Sequence, residues 1–160
     1  MFAYEDEYNF ALSLVKEASC LFTPAYNSHK NIETKESSSD LVTETDKAIE
    51  DLISSKVKEK YPEHGFIGEE TVSADGKIVF DDRPTWIVDP IDGTMNFVHC
   101  YPHTCIVIGF TVLKTVQFGV IYNPVLDQLF TGRLGFGAQL NGCNTEVVLA
   151  LLTWVKEGVK

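Results

Sequence analysis

The chain has 160 residues, a net charge of −10 at neutral pH, 44% hydrophobic residues and 22% charged residues. This composition supports one folded domain, or part of a larger one, and excludes a disordered chain. The acidic balance argues against proteins that bind nucleic acid or anionic membranes. The charge is also uneven, because 20 of the 23 acidic residues lie before residue 93. Some of these acids are therefore candidates for a functional site.

The expected compartment follows from three features of the sequence. The first residues are acidic and lack the basic segment of a signal or transit peptide. The apolar run at 147–155 is much shorter than the roughly 20 residues that span a bilayer. No C-x-x-C pair or zinc-ligand pattern occurs among Cys20, Cys100, Cys105 and Cys143. We therefore expect a cytoplasmic protein with reduced thiols and no membrane segment.

Two amphipathic helices are predicted in the first part of the chain. Apolar residues recur at helical spacing over 5–22, and Pro24 is expected to end this helix. The serine-rich stretch at 29–40 is predicted to be a loop. A second helix is expected to begin near Thr43 or Thr45, where either residue can cap it.

After residue 65 the pattern changes to short apolar runs separated by turns, which is typical of strands. The predicted strands are 66–67, 78–80, 86–88, 105–112, 116–122, 128–131 and 138–140. Two helices followed by a run of strands predict an α+β fold, with two N-terminal helices packed on a mostly antiparallel sheet.

The sharpest local feature is an acidic turn after the strand at 86–88. Asp89 is expected at the end of the strand, and Pro90, which has no N–H, is expected to end the pairing. Asp92 follows three residues later, and two carboxylates on so stiff a turn repel each other unless a cation lies between them. Hard oxygen ligands of this kind suit Mg²⁺ or Mn²⁺ rather than Zn²⁺. If Gly93 and Thr94 begin a helix, their N–H groups could hold a phosphate.

Each acidic position also has a purely structural interpretation. Asp-Pro and Asp-Gly are common turn dipeptides, and Asp92 could simply cap a helix. Glu69 and Glu70 follow the strand at 66–67 and could be a solvated sheet edge. Asp46 lies in the first turn of the predicted second helix, where an acid complements the helix dipole.

Three segments resemble the inositol monophosphatase family in order and spacing, and are most like the animal enzymes. They are residues 40–46, 66–70 and 86–94, with further similarity at 119–122 and 135–142. The resemblance implies the N-terminal half of the sugar-phosphatase (αβαβα) fold. It places an inositol monophosphatase-like domain over residues 1–142, followed by a divergent apolar tail at 143–160.

The resemblance implies a Mg²⁺-dependent phosphomonoesterase that hydrolyses inositol monophosphate to inositol and phosphate with metal-activated water. The implied metal ligands are Glu69, Asp89, the Ile91 carbonyl and Asp92. The implied catalytic residues are Asp46, which holds or orients water, and Glu69 and Thr94, which position and activate the attacking water. The implied substrate contacts are Glu69, Ile91, Asp92, Gly93 and Thr94. Lys35 is expected in a mobile loop near the entrance of the site.

The implied partner is a small phosphorylated polyol, without nucleic acid or membrane, and a homodimer is compatible with the resemblance. Phosphatases of bisphosphate nucleotides and of sugar phosphates belong to the same superfamily and share the acidic motifs. These enzymes therefore remain an alternative for the substrate.

The sequence departs from the family pattern at two places. Met95 stands where the animal enzymes usually have a second threonine. After Gly142 the chain no longer resembles the family, and the Trp-Asp motif that completes the second metal site is missing, because Trp154 is followed by Val155. We therefore expect little activity from this chain alone. The alternative is a catalytically inactive half-molecule that binds metal weakly or associates with a full-length homologue.

Overall fold

The computed structural model describes residues 3–29, 35–69 and 80–145. Helices α1 (Glu5–His29) and α2 (Lys35–Lys60) come first, and a short helix α3 (Thr94–Val98) lies between the second and third strands. The strands are β1 (Gly65–Gly68), β2 (Thr85–Asp92), β3 (Cys105–Val112), β4 (Thr115–Asn123), β5 (Gln128–Arg133), β6 (Gly137–Leu140) and β7 (Cys143–Thr145). The predicted α+β class is confirmed.

Within the described ranges, seven strands form one sheet in which the spatial order follows the chain from β1 to β7. Neighbouring strands are antiparallel except for β1 and β2, which are parallel, with Gly68 opposite Val88. The residues that follow β1 and the last residues of β2 therefore lie at the same end of the sheet.

The core lies between the two long helices and one face of the sheet. Trp86, Phe110 and Phe118 are opposite one another on β2, β3 and β4, and they form an aromatic row along this face. Their ring centroids are 4.9 Å apart for Trp86 and Phe110 and 5.1 Å apart for Phe110 and Phe118. Cross-strand pairs of this kind fix the register of the central strands. None of the helices in the described part of the chain is both long and apolar enough to cross a membrane.

Helix α1 continues through Pro24, so the predicted end before this residue was wrong. Phe22 and Tyr26 are 0% and 3% exposed, and their rings lie 4.9 and 5.6 Å from that of Phe97 on α3. The Tyr26 hydroxyl also donates a hydrogen bond of 2.6 Å to the carbonyl of Cys100. These tertiary contacts offset the cost of proline inside a helix, which is about 3 kcal/mol.

Helix α2 begins at Lys35, so the predicted start near Thr43 or Thr45 was wrong. Residues 30–34 of the predicted loop at 29–40 lie outside the described residues, and Lys35 is the first residue of a helix rather than part of a loop. A buried stripe with a spacing of four residues runs along the second half of the helix and consists of Thr45, Ile49, Ile53 and Val57. Burial of this stripe stabilises the second half of the helix.

Strand β2 continues through Pro90 to Asp92, so the predicted end of the strand at Asp89 was wrong. The register with β3 shifts between Asp89 and Asp92. Pro90 therefore lies in a bulge, where its missing N–H leaves no ladder hydrogen bond unmade. Of the strand predicted at 78–80, Phe80 lies outside the strands, and residues 78–79 are outside the described residues.

The sheet extends beyond residue 142, because Cys143–Thr145 pair with β6 as strand β7. The connecting turn contains Asn141 and Gly142 with φ of 49° and 80°. Asn-Gly is the preferred pair for a two-residue hairpin turn with two positive φ angles. Residues 146–160 of the predicted tail lie outside the described residues, and the domain boundary at 142 stays a prediction.

We predict that Gly68→Ala destabilises the fold by about 1 to 3 kcal/mol. An ideal Cβ on Gly68 would overlap the carboxyl group of Glu50 on α2, which is only 3% exposed. Urea unfolding measures the change in the free energy of unfolding. Gly132→Ala is the matched control, because a Cβ at that position has no atom within 4 Å. Equal destabilisation by the two substitutions would contradict the steric explanation.

The side chain of His64 contacts both Tyr61, directly after α2, and Trp86, near the start of β2. Its ring stacks on Tyr61 with centroids 4.7 Å apart and planes 5° apart, and Nδ1 accepts a 3.1 Å hydrogen bond from the indole N–H of Trp86. Burial lowers the pKa of His64 from its ordinary value, although the negative charge of Glu7 acts in the opposite direction. The folded state therefore favours the neutral ring.

Because the unfolded chain takes up this proton more readily, the contribution of His64 to the free energy of unfolding should fall as the pH drops below about 6.5. We predict that His64→Asn, which keeps an acceptor but does not titrate, loses part of the dependence between pH 7 and pH 5. Denaturant unfolding at both pH values tests this. His99→Gln, at an exposed position, should retain the wild-type dependence. The same pH dependence in His64→Asn and wild type would refute the lowered pKa.

Candidate metal centre

The predicted acidic residues come from three separate elements. Asp46 lies more than two turns inside α2 and is 6% exposed, so it does not complement the helix dipole. Glu69 follows β1 directly and is exposed. Asp89 and Asp92 belong to β2, and both are half-buried.

The parallel pairing of β1 and β2 brings Glu69 to Asp89. Gly68 lies opposite Val88, so the next residue on each strand is one of the two acids. A hydrogen bond connects the side chains of Glu69 and Asp89. Both residues were predicted at strand ends from the sequence, but the parallel register that makes them neighbours is a property of the fold.

The pKa of Asp89 responds to the charges of the other three acids. Burial is the largest cause that raises the pKa of Asp89, to about 8, and the negative charges of Glu69, Asp92 and Asp46 raise it further. The acids from α2, β1 and β2 therefore act on one buried carboxyl group. A cation among them would remove this repulsion.

The cluster fits a divalent cation in two respects. It concentrates negative charge, and Asp89 Oδ1 is buried without a hydrogen-bond partner among the described residues. As the side chains are placed, no three His, Cys, Asp or Glu residues of the described ranges are arranged to hold one ion by themselves. Glu70 lies outside the described residues.

The turn after β2 has the backbone that the sequence suggested. Gly93 has φ of 79° and ψ of 43° and is the N-cap of α3, which has no side-chain cap. The alternative in which Asp92 caps this helix is therefore not observed. The Thr94 hydroxyl donates a 3.3 Å hydrogen bond to the carbonyl of Ile91, so two of the predicted site residues contact each other directly.

Two residues next to this turn were missed by the sequence analysis. The Thr104 hydroxyl donates a 2.9 Å hydrogen bond to the carbonyl of Asp92, and the thiol of Cys105 lies 3.6 Å from Asp92 Oδ2. Burial and the charge of Asp92 raise the pKa of Cys105, which keeps the thiol protonated and unsuited to nucleophilic attack. No sequence signal identifies these residues, because the antiparallel register of β2 and β3 creates the contacts.

Known proteins share both the sequence and the fold. Inositol monophosphatase 1 of Sus scrofa is 47% identical over 87% of this chain, which corresponds to 50% of that protein. Inositol monophosphatase 3 of Solanum lycopersicum is 48% identical over 89% of the chain and 55% of that protein. The structure of SaIMPase-II with inositol monophosphate bound aligns with a TM-score of 0.71 and 32% identity, and covers 87% of this chain and 48% of that one.

The chain thus spans about half the length of the curated relatives it matches. The sequence profile of the inositol monophosphatase family matches residues 3–156, which is nearly all of the chain. With the acidic cluster, the glycine turn and the shared fold, this match establishes that the chain belongs to the inositol monophosphatase family.

Proposed function

We propose that this chain supplies the acidic metal-binding site of a Mg²⁺-dependent phosphomonoesterase that hydrolyses inositol monophosphate to inositol and phosphate. The observation that carries the proposal is the convergence of Asp46, Glu69 and Asp92 on the buried carboxyl group of Asp89. An anionic phosphate ester cannot approach four carboxylates unless cations neutralise them. The same cluster is therefore unfavourable without metal and suited to phosphate ester chemistry with it.

In this proposal, Glu69, Asp89, Asp92 and the carbonyl of Ile91 hold the metal. The chemistry that Mg²⁺ supplies when bound is neutralisation of the phosphoryl oxygens and a lower pKa of water. Asp46 orients a water molecule by accepting a hydrogen bond from it.

Thr94 and Glu69 position and activate the attacking water in the proposed mechanism. The Thr94 hydroxyl lies at the turn, next to the Ile91 carbonyl, and Glu69 follows β1 at the same end of the sheet. The N–H groups of Gly93 and Thr94 donate to the phosphate, and the left-handed backbone of Gly93 supports this assignment. No covalent intermediate is required, because water is the nucleophile.

The proposed substrate is supported by SaIMPase-II, which binds inositol monophosphate and shares the fold of this chain. We also propose that the protein is cytoplasmic and that it forms a homodimer.

The metal part of the proposal is tested by thermal melting with and without Mg²⁺. Mg²⁺ at ten times its dissociation constant should stabilise the wild-type chain by about 1.4 kcal/mol. Asp89→Asn removes the carboxyl group whose ionised form the cluster disfavours, so in EDTA it should raise the free energy of unfolding by about 1 to 3 kcal/mol. The same variant should lose most of the stabilisation by Mg²⁺.

Asp82→Asn is the matched control, because that carboxylate is 74% exposed and lies 3.9 Å from Lys114, outside the cluster. It should leave both the stability in EDTA and the response to Mg²⁺ unchanged. An unsubstituted chain whose melting temperature does not respond to millimolar Mg²⁺ would disprove the metal site.

The catalytic part is tested by phosphate release from inositol 1-phosphate. Any release above background should require Mg²⁺, stop in EDTA and fall by at least about 100-fold in Asp89→Asn, since charge stabilisation provides most of the rate. Asp82→Asn should retain the wild-type rate. A chain that binds Mg²⁺ but releases no more phosphate than Asp89→Asn would favour the inactive half-molecule instead.

A further inference from the structure

The turn that carries Asp92 and Gly93 is bound on one side by residues 103–105, at the start of β3. The side-chain amide of Asn96 donates a 2.6 Å hydrogen bond to the carbonyl of His103. A Cβ on Gly93 would lie 2.9 Å from this same carbonyl oxygen, so the turn and the segment are in close contact. This tight packing leaves the turn little freedom to move away from β3.

Two side chains of this segment bind Asp92 itself. The hydroxyl of Thr104, which is 2% exposed, donates to the main-chain carbonyl of Asp92 at 2.9 Å. The Sγ of Cys105 lies 3.6 Å from Oδ2 of the Asp92 carboxylate, within hydrogen-bond range for sulfur. Cys105 and Asp92 are also paired across β2 and β3. Main chain and side chain of Asp92 are thus held by two consecutive residues, Thr104 just before β3 and Cys105 at its start.

The thiol is the donor in this contact. A carboxylate oxygen can only accept a hydrogen bond, so the S–H group of the half-buried Cys105 donates to it. A carboxylate with one oxygen held by an S–H group cannot rotate freely about its terminal bond. The contact therefore restricts the orientation of the Asp92 carboxylate.

We propose that Cys105 is a positioning residue for metal binding, whose thiol holds the Asp92 carboxylate in the orientation that the cation requires. Thr104 performs the same task for the main chain of the turn. This inference rests on the proposed function, because it assumes that Asp92 is a metal ligand. Groups that orient metal ligands in this way commonly change metal affinity by 10-fold or more.

The test is calorimetric titration of the full chain with Mg²⁺. Cys105→Val, which has a similar volume but no donor, and Cys105→Ala should both weaken Mg²⁺ binding by about 10-fold. Cys105→Ser retains a donor and should restore the affinity to within about threefold of wild type. Having two variants without a donor keeps the comparison possible if one of them fails to fold.

Cys100→Ala is the matched control, because this half-buried thiol lies 4.0 Å from the carbonyl of Tyr26 and outside the acidic cluster. It should change the Mg²⁺ affinity by less than about twofold. A merely structural role for Cys105 would lower the melting temperature in EDTA without changing the affinity for Mg²⁺.

The outcomes separate the two proposals. Wild-type affinity in both Cys105→Val and Cys105→Ala would overturn the positioning role and leave the proposed function intact. A loss of affinity in Cys105→Ser as large as in Cys105→Val would also overturn it, because the donor would then be irrelevant. If the unsubstituted chain does not bind Mg²⁺, the proposed function fails, and the positioning role fails with it.

Discussion

Electrostatic repulsion among four carboxylates is the constraint on which this structure depends. The negative charges of Asp46, Glu69 and Asp92 all raise the pKa of Asp89. Burial of the Asp89 carboxyl group limits the screening of these charges by water. Such an arrangement costs free energy unless a cation is bound. The remainder of the fold must therefore hold the acids together against a force that separates them.

The parallel pairing of β1 and β2 provides the first part of this scaffold. It is the one parallel pair of the described sheet, and it brings two chain segments with their acids to the same end. Helix α2 packs against both strands and contributes Asp46 from its buried side. Glu50, one turn later on the same helix, fills the space next to Gly68, so the helix and β1 fit closely there.

The second part of the scaffold fixes the turn after β2 from two directions. Phe97 on α3 is fully buried and packs against Phe22 and Tyr26 of α1, which connects the turn to the core. Thr104, just before β3, and Cys105, its first residue, hold the turn from the other side. Hydrophobic packing and hydrogen bonds thus supply the stability that the acidic cluster lacks, in agreement with the general view that functional sites are stabilised by the structure around them.

The sequence by itself determined the α+β class, most of the strand positions and the identity of the acidic residues, because hydrophobic periodicity and turn residues are local signals. It misplaced the end of α1, where Pro24 suggested a break but burial of Phe22 and Tyr26 maintains the helix, and the start of α2, which lies at Lys35. Only the tertiary structure decided that the acids meet and that Cys105 contacts Asp92. These contacts follow from strand register, which depends on packing between residues far apart in the chain and leaves no mark in any single segment.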